Sequence, residues 1–265
     1  MAVASDADQT TLDCLEQRVK LELMRGSCST LDALQRSVLS LRFDDLKIFR
    51  SYVGSSTEEG GGRGLFASRK IAAGELVTCF PGDWVLDEDP VDGGFSVTFG
   101  QHIPDIRRDL QHATSSDARD YELLLSLDGG VARVIGDPLA VDDAAYLGHL
   151  ANDCAMLLEP EGIFEYALSA SQRANTNHVS VLESHIAVVA SREIEQDEEL
   201  FVSYGPGYWL TRNGFTAKVG EAQTALGLEM RKGGHVAKVI LHELKKRGDE
   251  QHFPPWILDC YETRG

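Results

Sequence analysis

The sequence predicts a β-rich α+β fold with helices at both ends. Apolar residues recur at helical spacing in the first 50 residues, short apolar runs bounded by Gly, Pro or Asp fill the middle, and helical spacing returns in the tail. With 265 residues the chain is long enough to bury a hydrophobic core. We therefore expect a helical region over 1–53, a central domain over 54–210 and a helical tail over 211–265.

The first 50 residues predict two amphipathic helices that form a hairpin. Thr10 and Asp13 have the spacing of a capping box at the start of the first helix, and Ser29 or Thr30 is expected to cap the second. The apolar positions of the two helices are Leu12, Leu15, Val19 and Leu23, then Leu31, Leu34, Val38 and Leu41. Because each set occupies one helical face, we expect the hairpin to pack onto the central domain.

The tail is predicted to contain a further helix, HVAKVILHELKKR (235–247). The basic residues of its last turn suit the negative end of a helix dipole. Its predicted apolar face consists of Val236, Val239, Ile240 and Leu244, with lysines opposite.

The central domain is predicted to be a series of short strands. A polar, glycine-rich connector, GSSTEEGGGRG (54–64), leads into them. Tyr121 stands at the head of one strand, which returns through a turn at Asp128-Gly129-Gly130. The strand segments are GLFAS, ELVTCF, FSVTF and YELLLSL, followed within 178–204 by HVSVLESHIAVVASREI and ELFVSY.

The net charge of -17 resides in the central part of the chain. Residues 51–150 carry 7 basic and 17 acidic side chains, and residues 151–215 carry 3 and 10. Such an acidic domain repels phosphate backbones and attracts Lys- and Arg-rich peptides, so direct nucleic-acid binding is not expected. The alternative, that these acids only keep the surface solvated, stays open.

The cysteine, histidine and glycine patterns argue against several classes of site. The five cysteines are scattered without a Cys-x-x-Cys pair, which indicates a reducing compartment, nuclear or cytoplasmic, rather than a disulfide framework or zinc cluster. The eight histidines form no His-x-x-x-His pair, so no metal is expected. GGGRG lacks both the P-loop lysine and the dinucleotide fingerprint. The acidic start of the chain lacks the layout of a secretion signal, and no apolar run approaches the roughly 20 residues of a membrane span.

A polar pair interrupts an otherwise apolar stretch in GHLANDCA (148–155). Asn152 and Asp153 follow a run that has the composition of protein interior. Burying an amide and a carboxylate costs several kcal/mol unless both find partners. We therefore expect these two side chains to have specific partners.

Four motifs in fixed order resemble those of the SET-domain protein lysine methyltransferases. They are GRGLFA with the following GELV (62–77), GDP (136–138), YLGHLANDC with the later NTNHV (146–154 and 175–179), and EELFVSYG (198–205). The likeness spans roughly 62–209 and leaves out the hairpin and the tail. It implies a SET fold, small curved β-sheets around a pseudoknot-like core, and S-adenosyl-L-methionine as cofactor.

The same resemblance implies site residues. Tyr204 is the tyrosine expected beside the transferring methyl, and Tyr121 is expected to line the lysine channel. Asn152 would hydrogen-bond the cofactor, and the backbone at Asp153 would meet the adenine. The remaining expected cofactor contacts are Arg63, Gly64 and Phe66 at the methionine part, and Tyr208 or Trp209 at the adenine or the channel mouth.

The chain departs from the family pattern at three places. Asp153 stands where the family usually has His. Asn152 and the partner Asn177 are 25 positions apart, so residues 155–174 resemble an inserted loop. Only Cys260 remains where the family often has a cysteine-rich zinc segment, so Tyr208, Trp209 and the tail helix are expected to close the substrate channel.

The sequence thus predicts an enzyme that transfers methyl groups to a lysine of a basic protein or peptide, a histone tail or another protein. A second hypothesis is a SET-like module that has lost catalysis and binds basic peptides. A third, weaker hypothesis is a structural role for the terminal helices. No membrane partner is expected, and the oligomeric state stays open.

Overall fold

The computed structural model describes residues 10–28, 30–88, 95–108, 113–115, 118, 120–127, 130–247 and 254–262. Ser29, one of the two expected caps of the second helix, lies outside this set, as do Asp128 and Gly129 of the predicted turn. The helices are α1 (Leu12–Arg25), α2 (Leu31–Leu39), α3 (Ile163–Arg173), α4 (Gly205–Arg212), α5 (Val219–Lys232), α6 (His235–Arg247) and α7 (Pro255–Glu262).

The described strands form three small sheets, which gives a mixed α+β fold. The first sheet has the order β1-β2-β11-β8, the second β3-β10-β9, and the third β5-β4-β7-β6. All pairings are antiparallel except β8 with β11, in which Asn152 lies opposite Phe201 and Asp153 opposite Val202. The pseudoknot-like core stays a prediction. The strands are β1 (Ser51–Ser55), β2 (Arg63–Ala67), β3 (Leu76–Phe80), β4 (Trp84–Glu88), β5 (Phe95–Phe99), β6 (Glu122–Leu127), β7 (Gly130–Ile135), β8 (Asn152–Asp153), β9 (Thr176–Val181), β10 (His185–Ala190) and β11 (Glu199–Val202).

The N-terminal hairpin packs onto the second sheet, as predicted. Leu15 and Val19 of α1 are fully buried in one apolar cluster with Leu76 of β3. The hydroxyl of Tyr146 accepts a 2.8 Å hydrogen bond from the backbone N–H of Phe43, which ties the chain after α2 to the segment leading into β8. The boundaries of the three predicted regions stay predictions.

The predicted cap of α1 is wrong by one residue. Thr11, rather than Thr10, is the N-cap, and its hydroxyl accepts from the backbone N–H of Cys14 at 3.3 Å. Thr10 instead accepts from the N–H of Lys47 at 3.3 Å. Thr10 and Thr11 offer the same type of side-chain oxygen as a cap. The contact with Lys47 engages Thr10, so Thr11 caps the helix. Thr30 caps α2, as predicted.

The segment predicted as an inserted loop forms helix α3 instead. Its buried residues Ile163, Tyr166, Ala167 and Ala170 recur at helical spacing. They pack in one apolar cluster with Leu226 of α5 and Ile240 of α6 and with residues of α7. The predicted tail helix is confirmed as α6, and the insertion and the tail share this core.

None of the helices in the described part of the chain is long and apolar enough to cross a membrane.

Candidate active site

Tyr204 lies where β11 passes into α4. Its hydroxyl donates a 3.0 Å hydrogen bond to the backbone carbonyl of Ala151. Burial raises the pKa of Tyr204, so the phenol stays protonated and acts as a donor. The next residue, Gly205, has φ +83, which a side chain with a Cβ rarely adopts. Glycine therefore allows the sharp turn that presents Tyr204 to Ala151.

Asn152, in the adjacent strand β8, binds the start of β2. Its side-chain amide donates to the carbonyl of Arg63 at 2.9 Å and to that of Gly61 at 3.4 Å. It also lies 3.3 Å from the carboxylate of Glu199. Asn152 thus has partners within the protein, including atoms of the glycine-rich connector, and its expected hydrogen bond to the cofactor stays a prediction.

Glu199 fastens the connector from the other side. This carboxylate, 4 % exposed, accepts hydrogen bonds from Ser56 Oγ at 2.7 Å and from the N–H of Thr57 at 2.6 Å. A Cβ on Gly64 would lie only 2.3 Å from Glu199 Oε1, so glycine is required for this close approach. The first and last motifs of the sequence therefore meet at Glu199.

An aromatic cluster surrounds Tyr204. The Tyr208 ring meets it edge-on at 4.8 Å between centroids, and the Trp209 ring is stacked at 6.2 Å. Tyr121 packs against the same apolar cluster as Tyr204 and meets the ring of buried His149 at 5.9 Å. The structure thus brings the two predicted catalytic tyrosines and the two predicted aromatic cofactor contacts together.

Asp153 is 8 % exposed and is the centre of a hydrogen-bond network. Its Oδ2 accepts from the Tyr166 hydroxyl at 2.6 Å, from Trp209 Nε1 at 2.7 Å and from the backbone N–H of Tyr204 at 3.0 Å. Its Oδ1 accepts from the N–H of Ala155 at 3.2 Å. Burial raises the pKa of the Asp153 carboxyl, and these hydrogen bonds oppose that effect.

A family model of the SET domain matches residues 62–205, more than half of the chain. The chain belongs to the SET-domain family. The match covers all four motifs recognised in the sequence. No curated protein matches the chain. Membership in this family indicates methyltransferase activity in general.

Three residues that surround Tyr204 were not predicted from the sequence: Tyr166, Ser203 and, outside the matched residues, Trp256. Trp256 of α7 donates from Nε1 to Ser203 Oγ at 2.9 Å, and Ser203 Oγ lies 3.1 Å from the Tyr166 hydroxyl. The rings of Tyr166 and Trp256 are stacked at 5.4 Å. The helical spacing of Tyr166 with Ile163 and Ala170 was the available signal in the sequence. The partners of Ser203, which are Tyr166 and Trp256, lie tens of positions away from it, so no local pattern indicates these contacts.

Two predicted residues have other surroundings in the SET domain. The Phe66 ring is buried and stacks on Tyr52 at 5.7 Å, so it packs β1 against β2, and its contact with the cofactor stays a prediction. Asn177 lies in β9 opposite Val189 of β10. Asn175 is the amide that binds β11: its Nδ2 donates to Glu199 O at 2.8 Å and its Oδ1 accepts from Phe201 N at 2.7 Å.

The site residues fit S-adenosylmethionine chemically. Gly62 has φ +61, and a Cβ there would meet no atom within 4 Å, so the connector backbone is accessible to a ligand. The rings of Tyr208 and Trp209 suit an adenine or a cation. The oxygens of Tyr204 and Ala151 suit C–H···O contacts with a polarised methyl. Within the described residues, no group of three or more His, Cys, Asp or Glu side chains is placed to hold a metal ion.

Proposed function

We propose that this SET-domain protein is an S-adenosylmethionine-dependent methyltransferase that modifies a lysine side chain of another protein. One observation carries the proposal. The hydrogen bonds from Asn152 to Arg63 and from Tyr204 to Ala151 join the first, central and last motifs at adjacent residues, 151 and 152. Separate hairpins with structural roles alone would not require the ends of these motifs to meet.

The chain's own groups account for positioning and for exclusion of water. When bound, S-adenosylmethionine supplies an electrophilic methyl on a sulfonium. The lysine nitrogen would have to be neutral to accept this methyl, so the residues around it would have to leave its proton a path to solvent. Tyr121, Tyr204 and Tyr208 would surround the aliphatic stem and the amine, and most of the rate would come from orientation and electrostatics.

A basic substrate suits the charge of the domain. Residues 51–215 hold the whole net charge of -17, which attracts Lys- and Arg-rich segments. A histone tail and a basic non-histone protein both contain such segments, and the charge of the domain suits them equally. Helix α7, which was not predicted, would add to the proposed closure of the substrate channel, because Trp256 binds Ser203, the residue before Tyr204.

Labelled S-adenosylmethionine tests the proposal directly. The protein is incubated with the labelled cofactor and, in separate reactions, with purified histones and with cell lysate; excess S-adenosylhomocysteine serves as the competitor control. We expect protein-bound label that the competitor abolishes, with methyl-lysine found by mass spectrometry. Absence of transfer together with absence of cofactor binding by calorimetry would contradict the proposal. Binding of basic peptides in that case would favour the second hypothesis, a SET-like module without catalysis.

A further inference from the structure

The two departures of this chain within residues 62–205 meet at one contact. Asp153 stands at the position where the resemblance leads one to expect His, and α3 fills the segment between Asn152 and Asn177. The Tyr166 hydroxyl of α3 donates to Asp153 Oδ2 at 2.6 Å. The unusual side chain and the unusual helix are therefore direct partners.

Both partners also hold the backbone around Tyr204. Asp153 Oδ2 accepts from the N–H of Tyr204 at 3.0 Å, and the Tyr166 oxygen accepts from the N–H of Gly205 at 2.9 Å. Ser203 Oγ contacts the Tyr166 hydroxyl at 3.1 Å. Three consecutive residues, with Tyr204 in the middle, are thus bonded to one Asp–Tyr pair.

The proton directions in this network are consistent with one another. Trp256 donates to Ser203 and Tyr166 donates to Asp153, so Ser203 can donate to Tyr166. Each hydroxyl then has a donor and an acceptor role, as its chemistry allows. Such a partly buried network, in which each hydroxyl has a partner, restricts the conformation of the groups that it joins.

We propose that Asp153 and Tyr166 act as a pair of positioning residues that hold Tyr204 in its reactive orientation. We name this pair the Tyr204 clamp. That this orientation of Tyr204 is the reactive one rests on the proposed function. The clamp itself rests on the four contacts given above. Helix α3 then serves to deliver Tyr166 to the last motif, and its role is part of the site.

A histidine could not replace Asp153 in this clamp. Oδ2 accepts three hydrogen bonds, from Tyr166, Trp209 and the N–H of Tyr204. A neutral imidazole has a single acceptor nitrogen. With histidine at 153, buried donors would be left without an acceptor, and each would destabilise this arrangement. The clamp thus explains why the aspartate accompanies the helix.

Hydrogen exchange tests the clamp without reference to activity. In Tyr166→Phe and in Asp153→Asn, we expect the amide protons of Tyr204 and Gly205 to exchange about 10-fold faster or more than in the unchanged protein, because their acceptors are lost or weakened. Tyr146→Phe is the matched control, since its buried hydroxyl also accepts from a backbone N–H, that of Phe43, in the N-terminal cluster. The control should speed exchange at Phe43 and leave Tyr204 and Gly205 unchanged.

The activity arm separates positioning from general loss of structure. We expect Tyr166→Phe to lower kcat about 10- to 100-fold, with little change in the KM for the cofactor, and to alter the ratio of mono-, di- and trimethyl-lysine. Adding Tyr204→Phe should remove the effect of Tyr166→Phe on that ratio, because the clamp acts through Tyr204. Tyr146→Phe should keep the product ratio of the unchanged protein.

The outcomes decide two questions separately. If Tyr204 and Gly205 exchange at unchanged rates in Tyr166→Phe, the clamp is wrong, whatever the activity. Faster exchange at these amides in a protein that transfers no methyl would contradict the proposed function and leave the clamp standing. If Tyr166→Phe lowers kcat by the same factor in the Tyr204→Phe protein as in the unchanged protein, the pair does not act through Tyr204. Tyr166→Phe carries the decision if Asp153→Asn does not fold.

Discussion

The hydroxyl of Tyr204 donates to the carbonyl oxygen of Ala151 across 3.0 Å, which joins the end of β11 to the residue before β8. The bond leaves the phenol oxygen with lone pairs and fixes the ring within an aromatic cluster. An oxygen held in this way suits a polarised methyl and an amine, and it connects the packing of the domain to its proposed chemistry.

Tyr204→Phe should reduce methyl transfer about 100-fold, or change the number of methyls added, because it removes one pre-oriented oxygen from the proposed site. The measurement is single-turnover transfer with mass spectrometry of the product. Tyr52→Phe is the control: the exposed Tyr52 hydroxyl also makes a hydrogen bond, to Asp197 at 2.9 Å, on the β1 side of the domain. Unchanged rate and product in Tyr204→Phe would show that another group performs this role.

Asn152→Ala should weaken cofactor binding and also lower the free energy of unfolding by about 1 kcal/mol. The stability change is expected because the amide donates to the carbonyl of Arg63, a partner within the protein. Asn213→Ala is a matched control, since Asn213 donates in the same way to Leu157 O at 3.0 Å. Calorimetry should show weaker cofactor binding for Asn152→Ala alone. Equal affinity in both variants would restrict Asn152 to a structural role.

Local periodicity was sufficient to predict helices α1, α2 and α6, whereas the motifs of the site were identified from their resemblance to the SET-domain family. Each helix buries part of its predicted face, namely Leu15 and Val19 of α1, Val38 of α2 and Ile240 of α6, whereas Leu31 of α2 is exposed. The resemblance implied that Arg63, Asn152 and Tyr204 belong to one site, but their hydrogen bonds within the protein left no local signal in the sequence.

Helix α3 and the partners of Asp153 were not predicted, for different physical reasons. The helical spacing of Ile163, Tyr166 and Ala170 was present in the sequence, but the comparison with the shorter family motif favoured a loop. Asp153 binds Tyr166 and Trp209, which are 13 and 56 positions away. Contacts of that range depend on tertiary packing, which no local pattern encodes.

Two of the five cysteines should react rapidly with a thiol reagent in the folded protein. Cys14 and Cys28 are exposed, and hydrogen bonds from Thr11 lower the pKa of Cys14. Burial raises the pKa of Cys79 to about 12 and that of Cys260 to about 11, and it also raises the pKa of Cys154. A colorimetric titration should give two thiols in buffer and five in denaturant.

The control for that titration is the double variant Cys14→Ser with Cys28→Ser. Both positions are exposed, so the fold should be unaffected. This variant should show no rapidly reacting thiol in buffer. Rapid labelling of Cys154 in either protein would contradict its burial in the apolar cluster that α3 and the tail helices form.

Asp83→Ala should destabilise the fold by about 3–5 kcal/mol, because it leaves a buried guanidinium without its partner. Asp83 is 0 % exposed and accepts from Arg42 at 2.8 Å and from the N–H of Asp137 at 2.6 Å. Burial would raise the pKa of Asp83, but the bond with His102 and the charge of Arg42 lower it overall. Urea unfolding measures the loss.

The control for Asp83 is Asp105→Ala. Asp105 is 98 % exposed at its side chain and pairs with Arg108 at 3.5 Å. An exposed pair contributes at most about 1 kcal/mol. Losses of equal size in the two variants would show that Asp83 does not hold together the segments after α2, β5 and β7, which contain Arg42, His102 and Asp137.

Stability should fall as the pH drops from about 6.5 towards 4. Burial lowers the pKa of His149 and of His185 to about 4 in the folded protein. A lowered pKa in the folded protein means that the unfolded chain binds protons more tightly. The free energy of unfolding is therefore undiminished by these histidines above pH ~6.5, and it decreases as the pH falls through this window. Each histidine should contribute a slope of up to about 1.4 kcal/mol per pH unit in the middle of the window.

His185→Phe isolates one of these two contributions. His185 stacks on Phe43 with ring centroids 4.5 Å apart, and phenylalanine keeps that stacked contact without a titrating group. Urea unfolding between pH 6.5 and 5 should therefore show a shallower slope for the variant, by about one proton, while both proteins share the carboxylates that titrate below this range. Identical slopes would mean that His185 already binds its proton in the folded state, and a neutral His185 stacked on Phe43 would then be wrong.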